Sequence, residues 1–122
     1  MLDFFEIIRR SLNGPYYSEQ DFDIKVVVPK LRQAVKKYGI RWDGKTPVSN
    51  NDQLADDVFQ AALELCVDTG CYCTDTNRVI RFTREELLEA LRDAPAVPVF
   101  GEGRDRKVMV GRKPESTIPP WC

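Results

Sequence analysis

Residues 70–83 constrain the chain more than any other stretch. They run Gly70-Cys71-Tyr72-Cys73-Thr74-Asp75-Thr76-Asn77-Arg78-Val79-Ile80-Arg81-Phe82-Thr83. A long helical period stops at Gly70, and two short strand-like runs follow, Cys71–Thr74 and Val79–Phe82. Between them, Asp75 and Asn77 supply turn chemistry. Thr83 then opens the capping box Thr83-Arg84-Glu85-Glu86. The spacing predicts helix, tight hairpin, helix. Cys71, Cys73 and Asp75 are its nearest candidates for chemistry, and a hairpin explains all three without a site.

Upstream, residues 3–12 read as a helix with Phe4, Phe5, Ile8 and Leu12 on one face. That face suits core or subunit-interface packing, with a partner-binding stripe as the alternative. Asn13-Gly14-Pro15 ends it, with glycine expected in a left-handed turn. Ser18 resembles an N-cap. Pro29 should hold Val28 extended, giving two helical pieces, about 19–27 and 29–38, with a kink or break between. In the second piece Leu31, Ala34, Val35 and Tyr38 form the apolar face. Lys30, Lys36 and Lys37 suit a solvated face, with phosphate binding as the alternative. Trp42 is expected to anchor the 40–50 loop on the core. The next helix, about 51–69, is apolar at Leu54, Val58, Phe59, Ala61, Ala62, Leu65, Cys66 and Val67. So wide a surface predicts cover on more than one side. Asp56, Asp57, Gln60, Glu64 and Asp68 form a narrow polar stripe, read as solvent-facing and not as a metal cluster.

After the capping box a helix is expected over about 84–93, with Leu87, Leu88 and Leu91 inward. Val97–Gly101 and Lys107–Gly111 read as a second hairpin. The Gly101-x-Gly103 turn is not a phosphate loop, because no helix follows it. Arg104, Arg106, Lys107, Arg112 and Lys113 fit edge-strand protection. From Pro114 the chain turns proline-rich and ends Trp121-Cys122, as a connector would. Residues 1–113 are therefore expected as an α+β, mainly helical region with two short β-hairpins, and 114–122 as a connector.

Composition removes several chemistries. The 122 residues contain no histidine, which excludes Ser-His-Asp and Cys-His catalysis and His-ligated metal within this chain. Cys66, Cys71, Cys73 and Cys122 lack paired C-x2-C spacing, so ordinary thiols are expected, with a metal or redox role as the alternative. With 18 basic and 19 acidic side chains, the chain lacks the positive charge of a dedicated nucleic-acid binder. No apolar run reaches the roughly 20 residues of a membrane span. The first residues, Met1-Leu2-Asp3-Phe4-Phe5-Glu6, do not resemble a signal peptide, and a cytoplasmic location is expected.

The ordered motifs resemble the N-terminal part of the monomethylamine methyltransferases of methylotrophic methanogens and related bacteria. The likeness covers about 15–113. It runs from Leu31 to Lys37-Tyr38-Gly39-Ile40, then from Phe59 to Gly70. It continues through Tyr72-Cys73-Thr74-Asp75-Thr76, Arg78-Val79-Ile80, and Thr83 with Glu85 and Glu86. It ends at Gly101-x-Gly103-Arg104-Asp105 and the basic Arg112-Lys113. The Tyr-Cys-Thr-Asp-Thr run is the most specific piece. The element order is more loosely similar to trimethylamine methyltransferases.

The resemblance implies a region preceding a (β/α)8 barrel that this chain does not contain. Family enzymes move a methyl group from the amine to the cobalt of a separate corrinoid protein, and the methanogen enzymes carry pyrrolysine in the barrel. No residue here matches a family catalytic position. The resemblance therefore assigns no catalytic, cofactor-binding or metal residue to this chain, and an inactive chain is expected without the barrel. It implies as partners the barrel or other subunits, a homo-oligomer and the corrinoid protein, with neither nucleic acid nor membrane. A stand-alone, non-catalytic helical binding module is the competing expectation.

Overall fold

The first helix, α1 (Phe4–Asn13), begins where the Asp3 carboxylate accepts from the Glu6 amide at 2.7 Å. It ends at Gly14, whose amide donates to the Arg10 carbonyl. Gly14 is extended, with φ −66° and ψ 168°, and not in the expected left-handed turn. Its requirement for glycine has another origin. A Cβ there would lie 2.1 Å from the Val79 carbonyl oxygen, so the absence of a side chain lets two backbones meet.

The structure, a computed structural model, describes residues 3–47, 49–112 and 116–119. It comprises two compact units, Met1–Leu91 and Arg92–Cys122. Lys113, Trp121, Cys122 and the boundary expected at 113/114 lie outside the described residues. Among the described residues no helix is long and apolar enough to cross a membrane.

The expected break before Pro29 is absent. Ser18 caps α2 (Glu19–Asp21) by accepting from the Asp21 amide, and a π-helical stretch, Phe22–Val27, leads directly into α3 (Val28–Tyr38). Val28 is helical, with φ −59° and ψ −47°. The physical reason is the wide turn. A proline within a helix cannot donate a hydrogen bond, and its ring crowds the carbonyl four residues back. Here the Val28 amide already reaches five residues back, to Asp23, so the helix absorbs the proline as a bulge. Gly39 closes α3 in the left-handed conformation, φ 62°.

The loop after α3 does not use Trp42 as a core anchor. Trp42 is 72% exposed, and its indole N–H donates to the Thr46 carbonyl. Asp43 holds the turn instead, accepting from the Lys45 and Thr46 amides and from the Thr46 hydroxyl. Helix α4 (Asp52–Thr69) starts at Asn51, whose side chain caps the Leu54 amide. It packs along α3 and buries Ala61, Leu63 and Thr69. Val58 and Phe59 stay exposed, so cover is narrower than the apolar surface suggested.

Gly70 ends α4 with φ 72°, and β1 (Cys71–Cys73) pairs antiparallel with β2 (Arg78–Ile80) in the register Tyr72 opposite Val79. The strands are each shorter than expected, and β2 begins one residue earlier. The left-handed Asn77, φ 53°, makes the turn. Residues 14–17 line the other edge of β2. The Val79 amide donates to Pro15, the Tyr17 amide donates to Asn77, and Tyr16 bridges to Arg78. β2 is thereby the middle of a three-stranded patch, and Val79 is wholly buried.

Helix α5 (Arg84–Asp93) opens on the expected capping box. Glu86 accepts from the Thr83 amide, and the Thr83 hydroxyl accepts from the Glu86 amide. Leu87 and Leu88 are half-buried, while Leu91 is 54% exposed, against its inward assignment. In the second unit, β3 (Val99–Phe100) pairs antiparallel with β4 (Lys107–Val108), and a single 3-10 turn at Gly103–Asp105 joins them. This hairpin lies where expected, and β4 begins at Lys107 as anticipated, but β3 is shorter at both ends and β4 stops at Val108.

Candidate functional site

The hairpin places Cys71 on its exposed surface, Cys73 half-buried, and Asp75 exposed in the turn. Cys66, Cys71 and Cys73 are free thiols. Partial burial, with Cys66 beside it, pushes the Cys71 thiol up. The Thr76 hydroxyl and the nearby turn amides draw Cys73 down. Among the described residues no group of three or more Cys, Asp or Glu side chains could hold a metal ion. The acids Asp56 and Asp57 likewise belong to no such group.

What the motif residues do together is structural. The Tyr72 ring stacks on Phe22 at 5.2 Å between centroids, and Tyr17 meets Phe22 edge-on. The Tyr72 hydroxyl lies 3.1 Å from the Tyr17 carbonyl and 2.8 Å from Asn77 Oδ1. Arg78 donates to the Gly14 carbonyl at 2.6 Å. The Tyr-Cys-Thr-Asp-Thr signature thus ties the π-helical stretch, the 14–17 segment and the hairpin into one knot.

A second cluster joins α1 to α5. Arg10 makes a two-pronged contact with Glu86, at 2.6 and 2.9 Å, and also donates to Glu6 and to the Arg81 carbonyl. Both partners of the Arg10–Glu86 pair are less than a quarter exposed, so water screens it weakly. The Arg10 guanidinium and the Thr83 amide hold the Glu86 carboxyl down to about 2, from an ordinary 4.5. A depressed carboxyl stabilises the fold fully above the unfolded value and loses that contribution as pH falls through the folded one. Acid unfolding should therefore draw on this cluster between about pH 4.5 and 2. Arg10→Met should lower stability by about 1–2 kcal/mol near neutral pH and flatten the acid limb. Circular dichroism melts at pH 7, 4 and 2.5 would check it. An unchanged acid limb in the variant would remove the cluster from the account.

The third cluster adds ion pairs to faces that are solvent-accessible as expected: Glu64 and Asp68 of α4 meet Lys37 and Lys30 of α3, while Lys36 is exposed. Lys37 meets Glu64 at 2.7 Å, Lys30 meets Asp68 at 3.0 Å, and the Tyr38 hydroxyl donates to Glu64 at 2.7 Å. Lys37 and the Tyr38 hydroxyl draw the Glu64 carboxyl down. The Arg84 guanidinium donates to Gln60, the next polar position of α4. These pairs line an open groove of about 320 Å³ whose charges are largely matched within it. Such exposed pairs set the register of α3 against α4 more than they add stability.

Two apolar surfaces of the first unit stand out. One is a groove of about 230 Å³ between α3 and α4, lined in part by Leu31, Val35, Ile40, Val58 and Leu65. The other is the outer face of α1, where Phe4, Phe5, Ile8 and Leu12 are 70%, 78%, 38% and 59% exposed. In the second unit Arg104, Arg106, Lys107 and Arg112 are exposed, and among the described residues only the single 3-10 turn Gly103–Asp105, and no α-helix, follows the Gly101-x-Gly103 turn. Sequence reasoning missed the joining of Arg10 to Glu6 and Glu86 and the backbone approach at Gly14, which it read only as a helix stop. The polar residues Glu6, Arg9 and Arg10 on one side of α1 were the available signal, and they carry no information about a partner 76 residues away.

A family model for the monomethylamine methyltransferase MtmB matches residues 2–122. Monomethylamine methyltransferase MtmB1 of Methanosarcina barkeri is 28% identical over 120 residues, which are 95% of this chain and 26% of that protein. MtmB1 of Methanosarcina acetivorans is 30% identical over 115 residues, 91% of this chain and 25% of the relative. The crystal structure of the M. barkeri enzyme matches with a TM-score of 0.77 at 27% identity, over 88% of this chain and 23% of that one. The hydroxylamine complex of MtmB matches with a TM-score of 0.79 at 26% identity and the same coverage. The chain spans about a quarter of the length of these relatives.

Proposed function

The chain belongs to the monomethylamine methyltransferase MtmB family, and from that premise we propose that it is the N-terminal portion of a methylamine:corrinoid-protein methyltransferase. Its role is packing or assembly, not chemistry. One observation carries this reading: the family match runs over 2–122, yet accounts for only a quarter of the relatives' length. The proposal places the remaining three quarters, a (β/α)8 barrel preceded by this region, in the whole enzyme, where methyl transfer to a corrinoid protein takes place. In that setting the barrel, neighbouring subunits and the corrinoid protein are the partners, and the location is the cytoplasm.

In this reading the corrinoid is carried by a separate partner protein, and no residue of this chain is assigned to hold it. Methyl transfer belongs, in this reading, to the remaining three quarters of the enzyme. The described clusters instead join helix to helix and helix to hairpin, which is what a packing region requires.

A chimaera tests the reading. This chain would replace the matching first quarter of M. barkeri MtmB1. Soluble, folded protein with methylamine-dependent methylation of the corrinoid protein is the expected result, with no activity from the 122-residue chain alone. An insoluble or inactive chimaera would overturn it. The helical binding-module alternative predicts a folded short chain that copurifies with an unrelated partner.

A further inference from the structure

We infer that the outer face of α1, formed by Phe4, Phe5, Ile8 and Leu12, docks against the C-terminal three quarters of a methyltransferase chain. The inference rests on the proposed function and specifies the surface it uses.

The ground for it is an inverted helix. An amphipathic helix on an isolated domain turns its apolar stripe to the core and its charges to water. α1 does the reverse. Its inward side carries Glu6, Arg10 and Ser11 with Ile7, all half-buried. Arg10 on that side is held by Glu86 and the Arg81 carbonyl. The four large apolar side chains point the other way, and Phe4 and Phe5 pack edge-on against each other at 6.1 Å. With its polar side fixed to α5 and the 81 carbonyl, α1 cannot roll to bury the stripe without breaking that network. The exposed face is thus held outward by specific contacts. Contiguous apolar patches of this kind mark interaction surfaces.

The occupant follows from the size of the relatives. This fold recurs, with TM-scores of 0.77 and 0.79, inside chains about four times as long as the portion it covers. Three quarters of each such chain is available to cover the surfaces that this quarter leaves open. An apolar helix face fits an apolar groove or helix layer on that remainder, in the manner of a helix laid into a groove.

The test is Phe5→Glu with Ile8→Glu, made both in the 122-residue chain and in the chimaera described above. If the face is exposed in the short chain and covered in the chimaera, the melting temperature of the short chain moves by less than about 2 °C while that of the chimaera falls by roughly 5 °C or more. Equal small shifts in both would overturn the inference while leaving the family reading intact. A wild-type chimaera that fails to fold would overturn the reading on which it rests. Light scattering adds a third arm. A short chain that self-associates, and becomes monomeric with the two glutamates, would replace the inferred occupant with a second copy.

Discussion

Gly14→Ala is expected to be the most damaging single-methyl change in the chain. Gly14 has an ordinary extended backbone, so alanine adds no conformational strain. The damage is steric. The new Cβ would sit 2.1 Å from the Val79 carbonyl oxygen and 2.9 Å from the Arg10 carbonyl oxygen. Both neighbours are backbone atoms and cannot swing aside as a flexible side chain would. Separating them pulls the 14–17 segment from β2 and weakens three bonds: the Val79 amide to Pro15, the Tyr17 amide to Asn77, and the Arg78 guanidinium to Gly14. A loss of about 3 kcal/mol is expected, the upper range for overpacking. For a unit of this size that corresponds to a fall in melting temperature of roughly 10 °C or more. Gly111→Ala is the control, because nothing lies within 4 Å of its added Cβ. Calorimetry on the two variants would separate them, and a Gly14→Ala melt as high as the control would refute the close approach.

Gly70→Ala should cost nearly as much, by a different route. Gly70 lies at φ 72° and ψ −166°, a region that side chains avoid because Cβ meets the flanking peptide groups. Its added Cβ would also stand 2.5 Å from the Ile80 carbonyl oxygen. Strain and overlap together predict a loss of about 3 kcal/mol. The two glycines press on adjacent peptide groups of the same strand, β2, at Val79 and Ile80. Their effects should therefore couple, and the double variant should lose less than the sum of the two. Denaturant midpoints for both single variants and the double variant give the coupling directly. Strict additivity would mean that β2 does not respond as one unit.

Both glycines abut the 70–83 stretch that the sequence marks most clearly, Gly70 from within it and Gly14 from outside. The hairpin was visible because Gly70, the Asp75-to-Asn77 turn and the Thr83 capping box are local signals. Each depends on neighbours within four residues. The Ser18 cap was legible for the same reason. Pro29 was misread because its local rule assumes an α-helical hydrogen-bond ladder. The π-helical stretch changes the ladder, and the rule with it. Trp42 was misread because burial is decided by distant elements, whereas its indole is satisfied four residues away.

The sequence by itself determined the order of the main helices and hairpins, the Ser18 and Thr83 caps and the family, since periodicity, turn chemistry and motif order are all written along the chain. Tertiary structure alone decided the rest. It chose which side of α1 faces inward, because a charged Arg10 is anchored by Glu86 across 76 residues and overrides the pull of four apolar side chains. It paired Lys30 and Lys37 with Asp68 and Glu64, because α3 and α4 lie side by side. It also gave Gly14 its purpose, because only the folded chain brings a second backbone to within the reach of a missing methyl group.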